Sequence, residues 1–199
     1  MGQYYTPTVL KNDGKYERYS SWDYDSGSKL MEHSYIKNAL MDAVSYSIYK
    51  CPAKVMWVGD YANMKDLPEE KRTSIVHKKM LYRAWSDHKE DMVRPSMIPI
   101  VMDWNKLYLI NDTTHEYINM RYYIEESMEI CKEKEVDNDY VHPLSILTAV
   151  GNGLGGGDYE GYNMEAVGVW AGDVISVDNI EPKGYTDVTH DVIFLENIY

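Results

Sequence analysis

The amino-acid sequence predicts an α+β fold with a largely antiparallel sheet and two main helices, about residues 35–50 and 67–85. Three observations lead to this prediction: β-prone segments open the chain, two segments with helical spacing follow, and mostly β-prone segments complete it. This order differs from the alternation of strand and helix that is typical of a parallel α/β sheet. No repeat, low-complexity linker or change in composition divides the chain, so we expect a single domain over residues 1–199.

The first segments predict a hairpin. Residues 3–10 are β-prone and are followed by an Asn-Asp-Gly turn at residues 12–14, so residues 15–22 can return as the partner strand. After a polar loop, residues 28–33 predict a further short strand.

Two segments carry helix signals on either side of a strand. Apolar side chains recur at helical spacing from residue 36 to residue 48, after the candidate N-cap Ser34. Residues 54–60 form a compact apolar run that is typical of a buried strand. The second helix is predicted to begin near Pro68, where acidic residues follow at its positive end, and to reach about residue 85.

The second half of the chain is predicted to be mostly β, and residues 125–135 are ambiguous between helix and strand. A tight Trp-Asn-Lys turn at residues 104–106 separates two of the expected strands. The predicted strands are residues 98–103, 107–111, 117–124, 166–177 and 188–195.

The composition narrows the classes of function. The chain has 32 acidic residues against 20 lysines and arginines, a formal net charge of −12. Such a surface repels phosphate at long range, so we expect no binding of duplex nucleic acid, although a nucleotide in a locally neutral pocket stays compatible. No segment approaches the roughly 20 apolar residues of a membrane span, so we expect no membrane partner. Two cysteines, Cys51 and Cys131, are too few for a disulfide scaffold and indicate a reducing compartment.

The glycine run at residues 151–158 is the most distinctive segment. Glycine backbones can present several N–H groups to a phosphate. The run is neither a Walker loop nor a Rossmann fingerprint, because Asp158 follows Gly157 where a Walker loop has Lys, and residues 158–162 are a poor helix start. Two interpretations stay open: a loop or flap beside a ligand, or a plain connection between strands.

Aromatic and polar side chains cluster in the sequence, and the chain has Tyr 19, Trp 5 and Phe 1. Aromatic faces stack on bases, and carboxylates or asparagines bond to base edges and ribose hydroxyls. The alternative is that Trp57 and Trp170 simply face the core. The candidate ligand-binding residues are Trp22, Tyr24, Asp25, His33, Asp60, His142, Asn152, Gly155, Gly156, Gly157, Asp158 and Tyr159.

The histidines indicate no metal site by their spacing, since none shows the i, i+4 pairing of a zinc helix. A hydrolytic metal site would need His142, Asp158 and neighbouring acids to converge. No serine elbow or activated cysteine is evident either, so the sequence indicates no catalytic residue.

Four segments spread over the chain carry a family resemblance. They are MGQYY at residues 1–5, KLMEHS at 29–34, WVGDY at 57–61, and the stretch 142–159 with HPL, GNG and GGGDY. These segments resemble a family of uncharacterised proteins from phages and gut bacteria. The resemblance implies a location in the cytoplasm of a bacterial host cell and supplies no catalytic residue.

The sequence favours a non-catalytic protein that binds a small, nucleotide-like ligand. In its most specific form, this hypothesis describes a phage factor that sequesters a nucleotide-derived host signal. One alternative is a metal-assisted hydrolase of a phosphorylated or sugar-like substrate. A cofactor, a divalent metal, is expected under this alternative and under neither of the others. The other is a protein–protein interaction or virion-associated protein, because an acidic, tyrosine-rich surface can cover a basic host enzyme. A second copy of the chain and a host protein both stay open as partners.

Overall fold

The computed structural model describes residues 1–87, 92–93, 95, 100–135 and 140–196. The helices are α1 (Ala39–Ser47), α2 (Ile75–Met80), α3 (Met120–Glu133) and α4 (Pro143–Leu147). The strands are β1 (Tyr5–Leu10), β2 (Tyr16–Arg18), β3 (Ala53–Gly59), β4 (Met92–Val93), β5 (Tyr108–Asn111), β6 (Glu116–Asn119), β7 (Ala149–Val150), β8 (Val174–Asp178) and β9 (Thr186–Asp187).

The nine strands of the described residues belong to one sheet with the order β4-β2-β1-β3-β8-β5-β6-β9, and β7 pairs with β3 beside this path. The central pairs from β2 to β6 are antiparallel. Among the described strands, β4, β7 and β9 are the ones that pair in parallel, and each is two residues long. The α+β class and the largely antiparallel sheet are therefore confirmed.

The core lies on both faces of β3, where every residue from Val55 to Val58 is fully buried. Successive side chains of a strand point to opposite faces. Val55 and Trp57 accordingly pack with α1, α3 and α4, whereas Met56 and Val58 pack with residues around α2. Trp57 and Trp170 both face the core, as the simpler interpretation of these aromatics predicted.

The first predicted helix is confirmed with later bounds, because α1 begins at Ala39 rather than near residue 35. Asn38, not Ser34, is its N-cap, and the Asn38 side chain accepts a hydrogen bond from the Leu40 N–H at 2.9 Å. Lys37 has a φ of 74°, outside the helical region, so the helix cannot extend back through it. Ser34 instead donates its hydroxyl to the Leu30 carbonyl.

The segment predicted as a helix over residues 67–85 is broken into short pieces. A 3-10 turn at Glu69–Lys71 and another at Tyr82–Asp87 flank the six-residue α2. Ser74 caps α2, and Leu81 ends it in an extended conformation. The Lys71 side chain also turns inward to a buried ion pair with Asp173 at 2.8 Å, which favours a turn here over a continuous exposed helix.

The longest helix, α3, lies where a strand over residues 117–124 and an ambiguous segment over 125–135 were expected. β6 ends at Asn119, whose side chain accepts hydrogen bonds from the N–H groups of Arg121 and Tyr122. The strand expectation is therefore wrong beyond Asn119, because this N-cap starts a helix.

Other expected strands are shorter than predicted or absent. Residues 28–33 contain a 3-10 turn at Leu30–Glu32, and β8 covers only the end of residues 166–177. Residues 192–195 are buried but pair with no strand: the N–H groups of Phe194 and Leu195 donate to tyrosine hydroxyls instead. The strand expected at 98–103 is absent from residues 100–103, and its first residues lie outside the described part of the chain.

Among the described residues, no helix is both long and apolar enough to cross a membrane.

Candidate functional site

The glycine run folds as a tight loop against the N-terminus. Gly151, Gly153 and Gly157 have φ values of 97°, 87° and 85°, a region that glycine adopts without a steric penalty. The Gln3 N–H donates to the Gly156 carbonyl, and the Gly156 N–H donates to the Met1 carbonyl, both at 3.1 Å. The run is thus a connection that the first residues of the chain hold in place.

Asp158 closes this loop from within. Its carboxylate accepts hydrogen bonds from the N–H groups of Gly153 at 2.6 Å and Gly155 at 3.1 Å. The Gln3 amide and the Tyr5 hydroxyl donate to the same carboxylate, both at 3.0 Å. The Asp158 carboxylate therefore already accepts the hydrogen bonds of the amides that a phosphate-binding loop would offer to its ligand.

Asn152 and Tyr159 pair across the same loop. The Tyr159 N–H donates to Asn152 Oδ1 at 2.8 Å, and the Asn152 side-chain amide donates to the Tyr159 carbonyl at 3.0 Å. The Tyr159 ring is fully buried against Phe194. Burial, with Glu196 nearby, raises the pKa of its hydroxyl.

His33 is a buried part of the core next to Trp57. The Trp57 indole N–H donates to His33 Nε2 at 2.9 Å, so the His33 proton lies on Nδ1 and is donated to the Gly27 carbonyl at 2.9 Å. Burial lowers the pKa of His33 to about 4, although the Gly27 carbonyl and Glu32 act in the opposite direction. His33 is therefore neutral at physiological pH.

His142 serves as the N-cap of α4. Its Nδ1 accepts the Leu144 N–H at 3.1 Å, and its ring meets Trp104 in an edge contact at 4.3 Å between centroids. Nε2 is buried and has no hydrogen-bond partner among the described residues. Burial lowers the pKa of His142 to about 3.

The remaining candidates, Trp22, Tyr24, Asp25 and Asp60, make local contacts outside the glycine run. Trp22 is 74% exposed on a 3-10 turn, Tyr24 is half-buried beside Tyr19, and Asp25 ends that turn with a φ of 54°. Asp60 accepts the Tyr4 N–H at 3.1 Å and joins the start of β1 to the end of β3. The structure brings together Gly155 with Asp158 and Asn152 with Tyr159, and for the other candidates it gives separate local contacts.

Two neighbouring pockets that share three lining residues, called here the apolar and polar halves of a cleft, lie elsewhere on the surface, and none of the candidate residues lines their described parts. The apolar half has a volume of about 360 Å³ and the polar half about 220 Å³, and both are bordered by Lys106, Leu107 and Asn179. The apolar half is otherwise lined by Tyr46, Tyr49, Ile100, Val101, Met102 and Asp103. The polar half is otherwise lined by Asn105, Tyr108, Asn119, Arg121 and Tyr122.

Asp42 on α1 fixes the wall between the two halves. Its carboxylate accepts the Trp104 indole N–H at 2.8 Å and the Met102 backbone N–H at 3.2 Å. The 3-10 turn Trp104–Lys106 is thereby held on α1, with Trp104 buried and Lys106 exposed at the cleft. Burial raises the pKa of Asp42, and the two donors oppose this rise.

Lys106 and Arg121 are the charged side chains on the described lining of the polar half. Lys106 pairs with Asp103 at 2.7 Å, and Arg121 pairs with Glu125 at 2.8 Å. The Lys106 hydrogen bond lowers the pKa of Asp103, and the Asp103 carboxylate raises the pKa of Lys106. Both pairs are solvent-exposed, so both cations are accessible from the cleft.

Two features of the sequence belong to this cleft, although by themselves they indicate only local structure. The turn at residues 104–106 was predicted, but its lysine was not connected with Arg121, since β5 and β6 separate the two in the chain. Asn119 is the N-cap of α3, and the exposed residues Arg121 and Tyr122 lie in the first turn of this helix. The strand expected over residues 117–124 obscured this helix start.

No group of three or more His, Cys, Asp or Glu side chains that could hold a metal ion occurs within the described ranges. His142 and Asp158, the residues of the hydrolase hypothesis, share no hydrogen-bond partner there.

Comparison with protein-family models, curated proteins and solved structures finds no significant match for the chain. Function is therefore inferred from the chain's own geometry.

The Asp158 contacts predict a stability effect. In Asp158→Asn the new NH₂ group faces N–H donors, so buried donors lose their acceptor and the free energy of unfolding falls by about 2 kcal/mol. Urea denaturation measures this change. Glu160→Gln, which removes the same charge from a nearby exposed position, should stay within about 0.5 kcal/mol of the wild type. Equal effects of the two changes would show that the carboxylate does not hold the loop.

The buried histidines predict loss of stability in acid. Because burial lowers the folded-state pKa of His142 to about 3, the unfolded chain binds a proton below about pH 6.5 that the folded chain does not. The free energy of unfolding therefore decreases as the pH is lowered, by up to about 1.4 kcal/mol per pH unit for this residue.

His142→Asn keeps an N-cap acceptor but removes the titration, so its free energy of unfolding should depend less steeply on pH between 6 and 4. The exposed-site change His115→Asn is the matched control, and the slope for His142→Asn should be shallower than the slope for this control. Urea midpoints measured at several pH values give both slopes. Parallel slopes for His142→Asn and the wild type would contradict the assignment of a neutral, buried His142.

Proposed function

We propose that this protein binds a small ligand in the two-part cleft, with a flat or apolar part in one half and an anionic part in the other. The observation that carries this proposal is the junction of an apolar pocket with a polar pocket whose charged lining residues are Lys106 and Arg121. A ligand that spans the junction at Leu107 would contact both halves.

The dimensions and the lining suit a nucleotide-derived molecule. The apolar half, at about 360 Å³, lies within the range of about 300–1,000 Å³ typical of small-molecule sites. Tyr46 and Tyr49 offer aromatic surface for a base, and the asparagines of the polar half offer amide groups for ribose hydroxyls. The local cations offset the repulsion that a net charge of −12 exerts on an anion at long range.

Sequestration of a host signal is the biological form of this proposal. It combines binding at the cleft with the resemblance to phage proteins, and it places the protein in the cytoplasm of a bacterial host. It requires binding without turnover, so the ligand should be recovered chemically unchanged after incubation with the protein.

The hydrolase alternative would need a grouped set of metal ligands, and the described residues hold none. For the interaction alternative, the described residues add to the acidic composition only scattered exposed apolar side chains such as Trp22 and Ile75. Neither alternative has a single observation comparable to the cleft.

A ligand panel tests the proposal. Cyclic dinucleotides, ADP-ribose and adenosine monophosphate are each added to the protein, and its melting temperature is measured. A ligand present at 100 times its Kd adds about 2.7 kcal/mol of stability. For a chain of this size that corresponds to a rise of roughly 5–10 °C.

A matched pair of variants localises the binding. Val101→Glu places a charge in the apolar half, and Ile75→Glu places the same charge on α2; the two side chains are 89% and 74% exposed, so neither change should unfold the protein. Calorimetric titration should show binding lost in Val101→Glu and retained in Ile75→Glu. No stabilisation by any ligand at millimolar concentration, or equal binding by the two variants, would overturn the proposal.

A further inference from the structure

Each cation of the polar half is held by a carboxylate from its own turn of chain. Asp103 lies three residues before Lys106, and Glu125 lies four residues after Arg121 on α3. The side chains are 77% and 54% exposed in the Lys106–Asp103 pair, and 62% and 51% exposed in the Arg121–Glu125 pair. Such pairs contribute little to stability, because water screens both charges.

Because both ion pairs are exposed and weak, each cation can exchange its carboxylate partner for another anion. A carboxylate that is attached to the same turn can rotate into water at small cost and leave the cation to another anion. The first turn of α3 is already capped by Asn119, which accepts the N–H groups of Arg121 and Tyr122. A bound anion would therefore be held by side chains, and the positive end of the α3 dipole adds to their attraction.

We propose that the polar half binds a phosphate group of the ligand, and that Asp103 and Glu125 release Lys106 and Arg121 to this phosphate when the ligand binds. This inference rests on the proposed function of the cleft and names the chemical class that its polar half accepts. Glu125 and Asp103 then act as internal competitors that weaken binding, although they lie beside the site.

Four features favour phosphate over a neutral group or a single carboxylate. Two cations match a phosphomonoester, which carries a charge of about −1.5 to −2 at neutral pH. Arginine forms paired hydrogen bonds with phosphate oxygens, and lysine adds a point charge. The flanking amides and phenols, those of Asn105, Asn119, Asn179, Tyr108 and Tyr122, are groups that donate to further phosphate oxygens. The volume of about 220 Å³ is small for a complete ligand and suits such a headgroup.

Inorganic pyrophosphate is the probe for this inference, because it carries the anion without the rest of a ligand. It is titrated to tens of millimolar into ¹⁵N-labelled protein, with sodium chloride at matched ionic strength as the reference. Amide resonances of residues 105–107 and 119–122 should shift and saturate, and those of residues 151–158 should stay in place.

Two pairs of variants then assign the roles. Arg121→Gln should weaken pyrophosphate binding about tenfold, because a charge-assisted bond is lost, whereas Lys132→Gln on the same helix should change it less than twofold. Glu125→Gln should tighten binding about two- to threefold, because the competing carboxylate is gone. Glu129→Gln, one turn further along α3, removes the same charge and should have a smaller effect.

The outcomes separate this inference from the proposed function. No saturable shift at residues 105–107 and 119–122, or equal effects of Glu125→Gln and Glu129→Gln, would overturn the phosphate exchange. Adenosine and adenosine monophosphate binding equally well in calorimetry would also overturn it, and of the proposed function it would leave only the binding in the apolar half. Failure of both nucleosides and nucleotides, while pyrophosphate binds as expected, would instead count against the apolar half.

Discussion

The cleft depends on one buried carboxylate, that of Asp42. Only 2% of this residue is exposed, and burial of a carboxylate is costly unless hydrogen bonds compensate. Asp42 receives two such bonds, from the Trp104 indole and the Met102 backbone. A helix in the first half of the chain thereby fixes a turn that begins 62 residues later, and the position of Lys106 follows from that turn.

A second buried carboxylate, Asp158, determines what the glycine run does. The run and its aspartate were recognised in the sequence, but the sequence could not show that the carboxylate folds back onto its own loop. That outcome depends on Gln3 and Tyr5, which come from the opposite end of the chain and complete the hydrogen-bond set. An acidic residue beside a glycine run is thus a structural closing group here, and the same contacts bury the first strand.

Those parts of the fold that depend on a few neighbouring residues could be predicted, and those that depend on contacts between distant segments could not. β1, its turn and β3 were predicted, because a β-prone segment, an Asn-Asp-Gly turn and an apolar run are each contained within a few residues. The helix α3 was missed although its buried residues, Met120, Tyr123, Ser127 and Cys131, follow helical spacing. Its β-prone tyrosines and isoleucine outweighed that spacing, and only the Asn119 cap decides between the two. The cleft could not be predicted, because its two cations meet only when β5 and β6 form a hairpin.

If the cleft binds an anion as proposed, the acidic surface around it would confine the attraction to close range, which favours selection by fit over non-specific attraction. Crystals soaked with 8-bromoadenosine monophosphate test this account most directly, because the bromine marks the base and the phosphate marks the anionic end. The account predicts an anomalous bromine peak in the apolar half beside Tyr46, with phosphate density between Lys106 and Arg121. A bromine peak beside the glycine run at residues 151–158, or a cleft without ligand density in crystals where the nucleotide binds elsewhere, would contradict it.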